Sequence, residues 1–249
     1  MPSPGRWRFG PTPGYAIVAV VIAMALLAAI GSRQPDDIAM QTIPDPDRTM
    51  LVENFEGLRA GRPWRDGERH GQWRAEYDGY GTTRISTNNG HRLTMSPRNA
   101  SDPKITHGGL VTTVEEFDDI DVTAQLRTVR QLRSGTPNPW EVAWLLWHYT
   151  DDNHFYSVVL KPNGWELGKE DPAYPGSQRF LATGDTPVFR IGMQHTVQVR
   201  QAGNSMAVWA DGKLLTTYTD HERPYTGGRI GLYTEDAQAE FDSVVVRRL

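Results

Sequence analysis

Alternation with a period of two is the feature that most constrains this chain. It runs through "FDDIDVTAQLRTV" (117 to 129), "HTVQVRQ" (195 to 201), "SMAVWADGKLLTTYT" (205 to 219), "GGRIGLYT" (227 to 234) and "AQAEFDSVVVRRL" (237 to 249). Each stretch is rich in β-branched and aromatic residues and ends at turn-forming ones, which predicts strands; strands recurring every 8 to 12 residues or so predict a sandwich or barrel. An Asp-Gly pair in "ADGK" (210 to 213) tolerates the positive φ of a tight hairpin, and "QAGNS" (201 to 205) gives a second turn, so 195 to 219 reads as a three-stranded meander. No comparable stretch of helical periodicity occurs after residue 50. The many Gly and Pro residues, 24 and 17, fit an all-β chain, and the absence of Cys excludes disulfides, cysteine-bound zinc and a cysteine nucleophile.

The N-terminus is of another kind. Residues 1 to 14 form a short basic segment with Arg6 and Arg8, and next comes an uninterrupted apolar run from Ala16 to Ile30. Extended to Gly14 and Gly31 the run has 18 residues, near the lower limit of the roughly 17 to 25 that span a bilayer. Residues 15 to 31 are expected to form a transmembrane or signal helix. The positive-inside bias places the rest of the chain outside the membrane, as a single-pass domain or, if the small residues Ala29 and Gly31 mark cleavage, as a secreted one. The Pro- and Asp-rich segment 32 to 50 reads as an extended linker, and 51 to 249 as the folded domain. No Lys/Arg-rich block stands outside the N-terminus, which argues against a nucleic-acid partner.

The order of the C-terminal half carries a resemblance. "WLLWHYTDDNHFYSVVLKPNGWELGKE", then "HTVQVRQAGNSMAVWADGKLLTTYTD", then "YTGGRIGLYTEDAQAEFDSVVVRRL" resembles the concanavalin A-like modules: laminin G-like domains, carbohydrate-binding modules and the 3-keto-disaccharide hydrolase-like domain. "LVENFEGL" followed by Trp64 or Trp73 resembles their opening. The resemblance covers about 51 to 249 and implies a jelly-roll β-sandwich of two antiparallel sheets with a ligand face on one of them. It also implies a structural calcium between the opening and closing strands, at Glu56 and Asp242.

"WLLWHYTDDNHFY" (144 to 156) is the densest aromatic stretch and reads as a hairpin with "TDDN" as its turn. Strict alternation puts Ala143, Leu145, Trp147 and Tyr149 on the core face, and Trp144, Leu146 and His148 on the other. On the returning strand Tyr156, Val158 and Leu160 face the core, and Phe155, Ser157 and Lys161 face away. "PNG" then brings Trp165 nearby. Trp144, His148, Phe155, Lys161 and Trp165 are therefore the expected glycan-binding residues.

The leading expectation is a membrane-tethered, extracytoplasmic carbohydrate-binding module for a cell-envelope or extracellular polysaccharide. Two alternatives stay open: a glycoside-cleaving enzyme of the 3-keto-disaccharide hydrolase-like group, or a structural envelope-assembly protein. Cleavage by carboxylates requires two convergent groups. "EEFDDID" with Glu116, Asp118 and Asp121 lacks the aromatic context of such a motif, and His148, Glu166 and Lys169 are the only cluster the sequence nominates. The primary expectation is thus binding without catalysis.

Overall fold

The computed structural model describes residues 48–249 except 89, 101 and 103. The sequence segments 1 to 14, 15 to 31 and most of 32 to 50 lie outside the described residues, within which no helix is long and apolar enough to cross a membrane. The chain forms, in order, β1 (Thr49–Glu53), β2 (Arg69–His70), β3 (Trp73–Tyr77), β4 (Thr82–Ser86), β5 (Arg92–Ser96), β6 (Gly108–Thr113), β7 (Ile120–Gln131) and β8 (Ala143–Asp151). Then come β9 (His154–Lys161), β10 (Gly164–Glu170), β11 (Gln178–Gly184), β12 (Gln194–Ala202), β13 (Ser205–Ala210), β14 (Lys213–Thr219), β15 (Arg229–Glu235) and β16 (Ala237–Arg248).

The strands build two eight-stranded antiparallel sheets. The first has the order β14-β13-β12-β7-β16-β5-β4, with β1 also paired to β16; the second runs β11-β10-β9-β8-β15-β6-β3-β2. The five alternating stretches become β7, β12, the β13–β14 hairpin, β15 and β16, and the meander forms as expected. Asp211 and Gly212 take the left-handed conformation that the two-residue turn requires (φ 50° and 76°).

The inner faces of the two sheets meet in one core. The first sheet contributes Val122, Ala124 and Leu126 of β7 with Val197, Val199, Val208 and Phe241. The second contributes Leu145, Trp147, Tyr156, Val158, Leu160, Leu167 and Leu232. Trp147 Nε1 donates across the sandwich to Gln201 Oε1 (2.7 Å), so the buried indole and amide satisfy one another.

Lys169 also points inward and is fully buried. Its Nζ donates to Asp220 Oδ2 (2.6 Å) and to the carbonyls of Glu222 (2.7 Å) and Arg223 (2.8 Å), while Tyr156 Oη donates to the same Asp220 oxygen (2.7 Å). The ammonium sits 4.5 Å from the Tyr225 ring centroid. This network fastens the β14–β15 connection to the second sheet. Removing one partner leaves the other charge buried and unpaired. Asp220→Ala is expected to lower stability by about 3–5 kcal/mol in urea denaturation, and Lys169→Met combined with Asp220→Ala to recover part of that loss.

Candidate functional site

The second sheet carries a second apolar layer on its outer face, made of Leu110, Val142, Trp144, Leu146, Tyr149, Phe155, Val159 and Tyr233, with Tyr77, Trp140 and Ile191 packed against it. Trp144 and Tyr233 meet edge to face (centroids 5.3 Å, 78°), and Tyr149 stacks on Phe155 (6.0 Å, 29°). Arg229 lies 5.0 Å from the Tyr149 ring and pairs with Glu76 (2.6 Å). The hairpin turn closes one end: Asp152 accepts from Tyr149 Oη (2.8 Å) and Tyr77 Oη (3.3 Å). Burial first, then the Asp152 charge, push both phenols above the ordinary tyrosine range.

Tyr149 reaches this face because alternation breaks at His148. Register shifts occur on both sides of β8, between Trp147 and Asp151 against β9 and opposite the Arg229–Gly231 segment of β15. His148 takes a left-handed conformation (φ 49°) as the extra residue of a β-bulge. Its ring turns back beside Tyr156, with Nδ1 2.9 Å from Tyr225 O and Nε2 3.1 Å from Asp118 O. Burial holds His148 below the usual imidazole range, and the neutral ring donates to one of these carbonyls. The bulge also needs Gly228 beside it, since a Cβ there would lie 2.6 Å from His148 C.

The expected residue set therefore divides. Trp144 and Phe155 lie on the outer face together. The bulge exchanges His148 for Tyr149, so the placement of His148 on the ligand face is corrected. Trp165 is corrected as well: it packs in the core between the sheets, its Nε1 donating to Thr186 O (3.0 Å). Lys161 shares the strand face of Phe155 but is paired with Glu166, away from the cleft. Lys169 of the cluster His148, Glu166 and Lys169 is in the core network, so that cluster does not assemble. Asp121 is engaged by Gln198 (2.7 Å) and Arg200 (2.8 Å) on the first sheet.

Glu56 and Asp242 go to different partners: Glu56 accepts from the His91 amide (3.0 Å), and Asp242 accepts from the Ser243 amide (2.7 Å) and lies 3.9 Å from Arg92. Among the described residues no group of three or more His, Asp or Glu side chains converges as a metal site.

Two acids absent from the expected set stand in the aromatic cleft. Glu170 ends β10 opposite Phe155, and Glu235 ends β15; both line the space enclosed by Tyr77, Trp144, Tyr149 and Tyr233. Tyr233 Oη donates to Glu235 Oε1 (2.9 Å), an approach that Gly108 permits, because a Cβ there would come 2.6 Å from the phenol oxygen. Among the described residues, Oε2 of Glu170 and Oε2 of Glu235 are buried without a hydrogen-bond partner, as is Oε2 of the nearby Glu141. Burial, then the charge of Glu235, raise Glu170 to about 8. Burial raises Glu235 to about 7 against the Tyr233 hydrogen bond, with Asp236 and Glu141 adding to the rise and Arg133 opposing it. Arg133 is buried between Glu141 and Asp236 (2.6 Å to the latter), one cation among three acids. The cleft encloses about 20 Å³, space for a water and not for a sugar ring.

Alternation made both acids readable in principle: Glu170 follows Glu166 and Gly168 on the face of Phe155, and Glu235 follows Tyr233. Nothing in the sequence signalled that the bulge would bring Tyr149 to join them.

The two-sheet β-sandwich and the match to a family model place the chain in the concanavalin A-like lectin and glucanase superfamily. The chain belongs to the 3-keto-alpha-glucoside-1,2-lyase-like domain family, whose sequence model matches residues 62–247. No curated protein matches it significantly. Among solved structures it is similar to the carbohydrate-binding module CBM66 from Bacillus subtilis, with TM-score 0.52, 14% identity, and 71% of this chain and 95% of that chain covered. It is also similar to laminarinase from Flavobacterium sp. UMI-01, with TM-score 0.53, 14% identity, and 81% and 100% covered. A third is the exoplasmic/lumenal domain of VIP36 in its Ca2+/Man2-bound form, with TM-score 0.53, 12% identity, and 82% and 90% covered. At these identities the likeness is one of fold.

The raised acids carry a sign for stability. Between about pH 4.5 and the raised values, about 7 for Glu235 and about 8 for Glu170, the folded chain holds protons that the unfolded chain releases, so stability contributed at low pH is lost as pH rises through this window. The limiting slope is about 1.4 kcal/mol per pH unit for each group. Glu170→Gln with Glu235→Gln is expected to flatten the fall in denaturant midpoint between pH 5 and pH 8; an unchanged slope would show that these carboxyls titrate normally.

Proposed function

We propose that the outer face of the second sheet recognises a saccharide, and that the apolar segment Ala16–Ile30 and the acidic linker hold this domain outside a membrane, next to a cell-envelope or extracellular polysaccharide. One observation carries the reading: five aromatic side chains, Tyr77, Trp144, Tyr149, Phe155 and Tyr233, share one cleft with two carboxyls whose free oxygens have no partner among the described residues. Apolar rings beside a few placed polar groups suit a sugar, whose ring presents an apolar face to an aromatic plane and hydroxyls to acceptors, and its entry requires the closed rim to part, since the cleft as it stands holds only a water. The family description and the fold shared with a carbohydrate-binding module and a glucan-cleaving enzyme support the same class of ligand. The tether rests on the N-terminal sequence.

A second reading, cleavage of the bound glycoside, is favoured by the two free carboxyl oxygens themselves, which recognition alone does not require to stay protonatable near neutral pH.

The test is binding of the full chain to a panel of α-glucosides, their C3-oxidised forms and envelope polysaccharides, followed by calorimetry. Trp144→Ala is expected to weaken binding about tenfold or more, equivalent to about 1.4 kcal/mol. Lys161→Ala, outside the cleft, is expected to leave it within about threefold. Binding to none of the panel, or binding indifferent to Trp144→Ala, would contradict the assignment of this face.

A further inference from the structure

We propose that the outer face of the first sheet carries a second binding site, for an acidic saccharide whose uronate carboxylate pairs with Arg200. The site stands on this face alone and does not depend on the cleft of the second sheet. An open depression of about 360 Å³ lies over β12, β13 and β14, with Arg200, Ser205, Ala207, Trp209, Thr217 and Thr219 in its lining. Small-molecule sites occupy roughly 300–1,000 Å³, so this depression admits a sugar ring without rearrangement.

Its shape follows from one small residue. Ser205, Ala207 and Trp209 alternate onto the outer face of β13. In the cross-strand register Ala207 stands between Arg200 of β12 and Thr217 of β14, so the middle of that row holds only a methyl group. Ser205 and Thr219 form the next outward pair, hydroxyl to hydroxyl at 3.2 Å, and bound one end. Trp209 bounds the other, where the register of β13 against β14 shifts.

The charges suit an anion. Arg200 donates through Nε to Asp121 Oδ2 (2.8 Å), and its Cζ lies 5.8 Å from the Trp209 ring centroid, so two neighbours fix the guanidinium. Its terminal nitrogens donate to no described residue. Asp121 spends its other oxygen on Gln198 (2.7 Å), and Asp119 accepts from the Gly203 amide (2.7 Å). Arg247 of β16 follows Asp121 in the same cross-strand row, with its Nε buried and unpartnered among the described residues. Two cations thus flank one carboxylate, and one positive charge is left over. A planar guanidinium with both terminal nitrogens open receives a carboxylate in two parallel hydrogen bonds.

The remaining lining selects a saccharide over an acidic peptide. An extended peptide gains its affinity from backbone hydrogen bonds along a strand edge. This depression instead opens on the face of the sheet, where it offers the hydroxyls of Ser205, Thr217 and Thr219 and an indole whose Nε1 donates to no described residue. Hydroxyl groups on a ring match such a set, and the indole supplies apolar surface for the ring itself.

The experiment is calorimetry on the full chain with trimers of glucuronate, galacturonate and mannuronate, the same trimers with their carboxyls reduced to alcohols, and penta-glutamate. At least one uronate trimer is expected to bind, with affinity falling as salt is raised, and its reduced form to bind about tenfold more weakly or worse. Arg200→Gln is expected to erase that difference. Ala207→Tyr, which fills the depression without removing a charge or a hydrogen bond, is expected to weaken the uronate about tenfold or more, while Trp144→Ala leaves it within about twofold. The proposal is overturned if no trimer binds below about 10 mM, if the reduced trimer binds as well as the acid, or if either Arg200→Gln or Ala207→Tyr binds like the parent. Penta-glutamate bound as tightly through Arg200 would show a general anion surface and overturn the saccharide assignment. Loss of uronate binding in Trp144→Ala, with Ala207→Tyr unaffected, would move the ligand to the cleft of the second sheet.

Discussion

Everything distinctive about this molecule depends on one extra residue in β8. His148, held in a left-handed conformation with its ring against two backbone carbonyls, interrupts alternation in the longest aromatic stretch of the chain. Before it Trp144 and Leu146 face outward and Leu145 and Trp147 inward; after it Tyr149 faces outward, where strict alternation would have buried it between the sheets. Without the bulge the outer face would lose the phenol that stacks on Phe155, binds Asp152 and lies under Arg229. The bulge in turn relies on the β14–β15 connection, which the Lys169–Asp220 network pins and whose Tyr225 carbonyl receives the His148 ring. A salt bridge inside the sandwich and an aromatic cleft outside it are thus linked through a single strand irregularity.

The electrostatics of the cleft follow from where the cations are not. Arg133 is spent on Glu141 and Asp236, and Arg229 on Glu76, so Glu170 and Glu235 share an apolar setting with no cation among the described residues paired to either. Burial penalises a charge that nothing offsets, and the energy is relieved by protonation. Such an arrangement costs stability as the pH rises above neutral.

Much of the fold was legible. The period of two, the Asp-Gly turn and the spacing of strands gave the sandwich, its meander and the inward positions of Trp147, Tyr156, Val158 and Leu160, because a sheet with one buried face fixes its own register. The candidate site was legible only in part. Trp144 and Phe155 obey alternation and lie on the outer face, as expected. His148 and Trp165 were misplaced, the first by a bulge that no composition rule marks, the second because it follows the "PNG" turn on the inward face of β10. Glu170 and Glu235 look like ordinary surface acids in sequence; only the packing of Trp144, Tyr233 and Phe155 around them makes them unusual.

The most direct test of this account is fluorine NMR of the full chain labelled with 5-fluorotryptophan, titrated with methyl 3-keto-α-glucopyranoside. Trp144, assigned by Trp144→Phe, is predicted to shift or broaden on addition of the sugar, while Trp147 and Trp165, on the inner side of the same sheet, stay where they are. A response confined to Trp209 on the opposite sheet, or to Trp165, with Trp144 unmoved, would place the ligand elsewhere and contradict the division of the two faces on which the account rests.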